Sequence, residues 1–363
     1  MTFYEKIRYS NDIKTIGHLS MIKKSILIKI ITLKSIILLL LAGCSNGTNE
    51  SAQLACSLDD PCTIRFPHVT APSTPKGQAA ALFEELAEAR FPGRVNVDVY
   101  PSSQLMTDDD SLPALFAGEI QMIAISLSKF DRMTQAFQIF DLPFLFPNIE
   151  AVERFQNSDT GQELLGTLNN RGFQGLAFWH NGMKEFSAPI PLRVPEDADG
   201  LKFRIMESDV LEEQILNMGG SPQKMALGEV YQALQTGVID AQENTWSNIY
   251  SAKYYEVQPY IMETNHGYIG YLVAVNPDFW QSLPEDVRTG LEEVMDEVTQ
   301  WGNQRAEEIN LRDRAEILAS GDSEIISFTS DELAIWQESM RPVWEIFADG
   351  IGRENIEIAQ SLN

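Results

Sequence analysis

The sequence predicts an α/β fold in two lobes, and three stretches carry that prediction. Residues 64–126 alternate strand and helix patterns, residues 201–244 do so again, and one helical pattern runs from Pro284 to Leu318. Alternation of this kind builds a mostly parallel sheet covered by helices. The roughly 300 residues beyond an N-terminal export signal are enough for two such lobes.

Residues 1–43 read as targeting rather than fold. Lys23, Lys24, Lys29 and Lys34 precede an apolar run at 36–41, which ends in Leu41-Ala42-Gly43-Cys44. A basic region, a short apolar core and small residues at the cleavage point describe an export signal. The uninterrupted run is too short to span a bilayer. Cysteine directly after Leu-Ala-Gly resembles a bacterial lipobox, so Cys44 is expected as the lipidated first residue of the mature chain. Residues 44–61 then form a solvated tether that lifts the domain from the membrane. Met21 is an alternative start, because nothing before it is needed for export.

Charge narrows the function classes. The chain holds 27 Lys+Arg against 52 Asp+Glu, a net charge of −25. Residues 1–43 contain seven of those cations and two of those anions, so the mature chain carries 20 against 50. A phosphate backbone would be repelled, which excludes a nucleic-acid binder. The overall field also opposes an anionic ligand, so a carboxylate site here must be locally positive and short-ranged. With Cys44 acylated, Cys56 and Cys62 remain as an even pair in an oxidising compartment and are expected to form a disulfide. The alternative, a two-cysteine metal site, lacks a nearby histidine pair.

The first lobe opens with Ile64 and Phe66 on one face of a strand. Ala79, Leu82, Phe83, Leu86 and Ala87 form the stripe of a helix. Val95, Val97 and Val99 alternate in a second strand ended by Pro101, and Ile120, Ile123 and Ile125 mark a third that finishes near Ser126. The aromatic run from Phe137 to Phe146 is expected as a buried strand or a lobe-packing segment rather than a ligand platform. Leu176, Phe178, Trp179 and His180 lead through Asn181-Gly182 into the second lobe. Trp179 and Trp246 suit either a pocket wall or the core.

In Leu201-Lys202-Phe203-Arg204-Ile205 the apolar residues alternate with cations, so Arg204 leaves a half-buried strand on the face opposite Phe203. Val230, Ala233, Leu234 and Gly237 repeat at helical spacing, with Gly237 as a left-handed cap. Val238 to Ala241 is then a short apolar strand, and Asn244 lies just past its end. Ligands of open α/β sheets sit outside the carboxyl ends of strands. A guanidinium on one strand and an amide at the end of the next make a plausible carboxylate site.

At these residues a family resemblance becomes specific. GLKFRI at 200–205, EVYQALQTGVIDAQEN at 229–244 and Thr264-Asn265-His266 resemble the solute-binding subunits of TRAP transporters, the DctP-like family. Leu142-Pro143-Phe144 is a further mark of it, and the likeness covers Ile64 to the C-terminus. It implies a two-lobed periplasmic-binding-protein-like fold with a central ligand cleft. It also implies that Arg204 pairs with a substrate carboxylate and that Asn244 supports the ligand. A second arginine is common where this chain has Lys184, a point charge without the bidentate fork. Val69, Asp109 and Ser126 are implied to face the cleft. The partners implied are a small organic acid and the membrane permease subunits.

Proline followed by Glu285 and Asp286 starts the long helical pattern, whose apolar side is Leu291, Val294, Met295, Val298, Trp301 and Ile309. Sequence alone allows a helix crossing both lobes or packed on one, and the resemblance favours crossing. A last helix holds Leu333, Trp336, Met340, Val343, Trp344 and Phe347, bent at Pro342. Lobe I is expected over 62–181 and 270–309, and lobe II over 182–269 and 310–363. The four histidines lack metal-ligand spacing, and there is no G-x-S-x-G or phosphate-binding loop. No cofactor and no catalysis are expected; the expected function is capture of a carboxylate for delivery to a permease, with a ligand-sensing protein feeding a signalling partner, or a hydrolase or lyase on an α/β scaffold, as the alternatives.

Overall fold

The computed structural model describes residues 53–130 and 133–363. The export signal, Cys44 and the first part of the expected tether lie outside the described residues. β1 (Cys62–Pro67), α1 (Pro75–Arg90), β2 (Val95–Tyr100), α2 (Asp108–Phe116) and β3 (Met122–Ser126) reproduce the alternation read from the first lobe. Thr74 caps α1 by accepting from the Gly77 amide, and Pro75 occupies the first turn, where its missing N–H is no loss. Ile64, Phe66, Phe83 and Ala87 close the core between them.

Next come 3-10 turns at Leu127–Phe130 and Gln135–Asp141, then α3 (Ile149–Gln156), α4 (Asp159–Gly166) and β4 (Gln174–Ala188). The second half holds β5 (Lys202–Ile205), α5 (Asp209–Asn217), β6 (Ser221–Lys224), α6 (Val230–Thr236), β7 (Ala241–Asn244), α7 (Trp246–Ser251) and β8 (Tyr260–Val275). The chain finishes with α8 (Pro277–Ser282), α9 (Glu285–Ser320), β9 (Glu324–Ser327), α10 (Ser330–Ser339), α11 (Arg341–Ile351) and α12 (Arg353–Ser361).

The expected mostly parallel sheet is corrected to a mixed one. β1 and β2 pair in parallel, and a second sheet runs β3-β8-β4-β7-β5-β6 with β9 beside β8. Within it β8 is antiparallel to β3 and β4, and β4 is antiparallel to β7, while β5 lies parallel to β6 and β7. The cause is length: β4 and β8 are 15 and 16 residues long, so one antiparallel pair serves both lobes. That pair slips register between His180 and Gly182, where the sequence marked the passage between lobes. Gly182 is needed there, because a Cβ would stand 2.8 Å from the Asn310 amide nitrogen. The same amide donates to the Asn181 carbonyl at 2.6 Å, tying α9 to the crossing strand.

α9 is the predicted long helix, 36 residues and roughly 54 Å at 1.5 Å per residue. Val287, Leu291, Val294 and Val298 pack in the first-lobe core. Ile317 packs in a separate cluster with Val230, Ile249 and Ile261. The helix therefore spans both lobes.

Three local readings change. The Phe137–Phe146 run is buried but begins as a 3-10 turn rather than a strand, with Phe137 and Phe140 packed on Phe130 and Phe155. The strand expected at 238–241 lies at 241–244 instead, because its polar residues are paired internally. The last helical pattern divides at Met340 into α10 and α11, with Pro342 in the first turn of α11, and α12 follows. The described part of the expected tether is exposed at Gln53, Ala55 and 58–61, and two of its residues contact the domain. Leu54 donates its N–H to the Ser282 carbonyl at 2.8 Å, and Arg94 Nε reaches the Cys56 carbonyl at 2.8 Å. A disulfide joins Cys56 to Cys62, with their Cα atoms 4.8 Å apart, and closes that segment onto β1.

Candidate ligand-binding site

Strand ends from both lobes converge on one cavity of about 160 Å³. The first lobe supplies Val69 and Thr70 after β1, Ser103 after β2, Asp108 and Asp109 at the start of α2, and Ser126 at the end of β3. The second supplies Arg204 from β5, Asn244 from the end of β7 and Asn248 from α7. Ile269 and Tyr271 of β8 form part of the wall. Ser102 and Ser103 both have left-handed backbones (φ 54° and 58°), a conformation unfavourable for residues with a Cβ. The turn is held because their amides donate to the Thr70 and His68 carbonyls at 3.0 and 3.1 Å.

Arg204 is 4% exposed although it belongs to a strand of only four residues. Its Nε donates to the Met225 carbonyl at 2.9 Å, which leaves the two terminal nitrogens for a ligand. Burial pulls its pKa down, while Tyr254, Glu243, Asp108 and Asp109 act in the other direction; an arginine remains protonated under such shifts. Among the described residues no carboxylate forms an ion pair with it, and Asp209, nearby in sequence, faces Lys224 at 3.5 Å.

Asn244 is oriented by its neighbours. Its Oδ1 accepts from Asn248 Nδ2 at 2.7 Å and from the Thr245 amide at 3.1 Å, so its NH2 is the group free to donate. On the opposite wall Lys129 pairs with Asp109 at 2.6 Å, and Ser126 Oγ donates to Ser128 Oγ at 3.3 Å. Lys76 lies buried behind Tyr271, its ammonium 3.8 Å from the ring centre and donating to the Ala124 carbonyl at 3.0 Å. Burial lowers that lysine to about 8 despite the pull of Asp108. Asp108 has one carboxyl oxygen, Oδ1, buried without a hydrogen-bond partner. Burial pushes its pKa up, against the nearby lysines and Arg204.

The sequence reading is corrected at three residues. Arg204, Asn244, Ser126, Asp109 and Val69 line the cavity, whereas Lys184, Trp179 and Trp246 do not. Lys184 is wholly buried, with Nζ 2.7 Å from Glu243 Oε1. Glu243 also accepts from Gln214 Nε2 and His266 Nε2, both at 2.9 Å. Burial alone would raise Glu243; Lys184 and His266 outweigh it and hold the carboxyl well below the ordinary range. Trp179 packs on Phe66 and donates to Thr299 Oγ1 at 2.9 Å, so it serves the core. Trp246 lies under the Arg314 guanidinium, 5.5 Å from its ring, beside α9. Asp108, Lys129, Asn248 and Tyr271 were not read from the sequence. Only Asn248 carried a usable signal, one helical turn beyond Asn244.

A cavity between two lobes, lined by strand ends and centred on a buried guanidinium, is the arrangement of a two-lobed solute receptor. A model of the bacterial extracellular solute-binding proteins, family 7 (DctP), matches residues 66–350, and the chain belongs to that family. It is 47% identical over 319 residues to a C4-dicarboxylate-binding periplasmic protein DctP of Shewanella loihica, covering 87% of this chain and 95% of that protein. A TRAP periplasmic solute-binding protein of Shewanella oneidensis, solved with bound succinate, superposes with a TM-score of 0.83. The two are 48% identical over 84% of this chain and 99% of the other. A relative from Pseudomonas aeruginosa solved with bound L-malate gives a TM-score of 0.77 at 45% identity, over 79% of this chain and 100% of the other.

Proposed function

We propose that this protein captures a C4-dicarboxylate outside the cytoplasm and delivers it to a TRAP-type membrane permease. The observation that carries the reading is Arg204, buried, anchored through Nε and open at both terminal nitrogens. That fork matches one carboxylate in a bidentate, charge-assisted pair. The Lys129 ammonium on the facing wall supplies positive charge for a second carboxylate. The cavity of about 160 Å³ is smaller than the roughly 300–1,000 Å³ of drug-sized pockets, which favours a short acid. The names and bound ligands of the relatives, succinate and L-malate among them, support the same class.

In this reading 62–181 with 270–309 closes on 182–269 with 310–363 about the crossing strands, and acts by binding and release rather than by bond cleavage. Cys44 carries the lipid that keeps the receptor at the membrane; incorporation of labelled fatty acid, lost in Cys44→Ser, checks that part. A thermal-shift screen of organic acids tests the ligand class. At a hundred times Kd a ligand stabilises by about 2.7 kcal/mol. Succinate, fumarate and L-malate should then raise Tm by roughly 4 °C. Shifts produced by cationic osmolytes and by none of the C4 acids would overturn the reading.

A further inference from the structure

Lys76 is the second residue of α1, and its side chain is wholly buried. A lysine is almost never fully buried unless it is paired. Here the ammonium has two contacts, the Ala124 carbonyl at 3.0 Å and the face of Tyr271, 3.8 Å from the ring centre. Among the described residues no carboxylate forms an ion pair with it. Asp108 attracts it only from a longer range. His68, within its field, is held to about 3 by burial and by Lys76 itself, so that ring is neutral. The position is unfavourable on a second count. The first turn is the positive end of a helix, and α1 has no acidic residue there.

A cation sealed from water without a counter-ion is costly. Burial lowers Lys76 to about 8, which leaves it mostly charged at pH 7. What can offset that cost lies in the ligand cavity. Tyr271 lines it, so the ammonium stands one ring behind the wall. The charged residues of the lining are two cations, Arg204 and Lys129, and three carboxylates, Asp108, Asp109 and Glu229. Lys129 is already paired with Asp109 at 2.6 Å. The lining by itself therefore has no excess of positive charge for a ligand with two carboxylates. Lys76 supplies the missing cation, and a charge one ring away still acts strongly where water is excluded. Asn248 bonds the Tyr271 hydroxyl and so helps to fix the ring between them.

We propose that Lys76 sets the preference of this site for dianions: its ammonium, behind Tyr271, balances the second carboxylate of the ligand without touching it. This rests on the dicarboxylate reading and adds to it the residue that tells two charges from one.

Calorimetry with succinate and succinamate near pH 7 tests it. The two ligands are almost the same size, but succinamate carries one negative charge where succinate carries two. Lys76→Met keeps an unbranched side chain and removes the charge. It should weaken succinate at least tenfold and succinamate no more than threefold, so the preference for the dianion falls. A purely structural role would lower both alike. In the wild-type chain, nitrogen NMR of labelled lysine gives an independent reading. With saturating succinate the Lys76 amine should hold its proton to a pH about one unit higher than without ligand, and succinamate should move it clearly less. That measurement decides the matter if Lys76→Met does not fold. An unchanged ratio of affinities in Lys76→Met, or a lysine titration that succinate does not move, would overturn the proposal while leaving the dicarboxylate reading intact. Failure of the wild-type chain to bind succinate at all would overturn both.

Discussion

Lys184 and Glu243 form an ion pair 2.7 Å long, sealed from solvent one residue away from the cavity-lining Asn244. The pair joins β4 to β7 with His266 and Gln214 on the same carboxylate, and His266 stacks on Phe186 at 3.6 Å. A lysine in this arrangement supports the strand that presents Asn244.

Lys184→Ala should therefore act on stability rather than on ligand choice. Removing one partner of a buried pair leaves an uncompensated charge and costs about 3–5 kcal/mol. Urea unfolding should show that loss, while the ratio of succinate to L-malate affinity in the folded fraction stays within twofold. Stability within 1 kcal/mol of wild type together with a changed ratio would return Lys184 to the ligand.

A second buried carboxyl sets a pH dependence. Glu185 sits opposite Asn244 in the β4–β7 register, with Oε2 accepting from the Asn265 amide at 2.9 Å and Oε1 without a partner. Burial pushes it from 4.5 up to about 8. Between those values the unfolded chain has released a proton that the folded chain keeps, so this residue's contribution to stability falls as pH rises from about 4.5 to 8. Glu185→Gln removes the titration. Relative to wild type the variant should gain on the order of 3–5 kcal/mol between pH 5 and pH 8. A difference that is constant across this range would place the carboxyl in an ionised state throughout.

Asp108 should couple ligand binding to a proton. Its carboxyl lies in the cavity beside Lys129, Asp109 and Arg204, already raised by burial. A bound dianion disfavours its ionised form further, so the complex holds the proton more tightly than the free protein. Affinity for succinate should then be highest at low pH and decline as pH rises through the value in the complex. Titration over the pH range in which succinate stays a dianion should show that slope in wild type and a flat profile in Asp108→Asn. Equal slopes in both would remove Asp108 from the binding equilibrium.

Much of this architecture was legible from periodicity. The stripe from Leu291 to Ile309 identified α9, and the alternation at Leu201–Ile205 placed Arg204 off the face opposite Phe203. What failed was the assumption that burial follows hydropathy. Ala241-Gln242-Glu243-Asn244 is buried throughout yet reads as a polar turn, because its partners Ser187, Lys184 and Asn248 lie elsewhere in the chain. The same blindness concealed Lys184, whose partner is 59 residues away. Trp179 and Trp246 could not be assigned from sequence for a related reason: what decides them is Thr299 in one case and Arg314 in the other, both on α9. Asp108 escaped notice because a carboxylate in an acidic triplet is ordinary; only its orphaned oxygen distinguishes it.

The central claim is that the Arg204 fork reads a ligand carboxylate, and Arg204→Lys tests it most directly because the charge is kept while the bidentate geometry is lost. The loss of a buried, hydrogen-bonded charge pair lies in a range of about 2–5 kcal/mol. Calorimetry with succinate should therefore show affinity reduced by roughly a hundredfold with the fold intact. Affinity within twofold of wild type would contradict it.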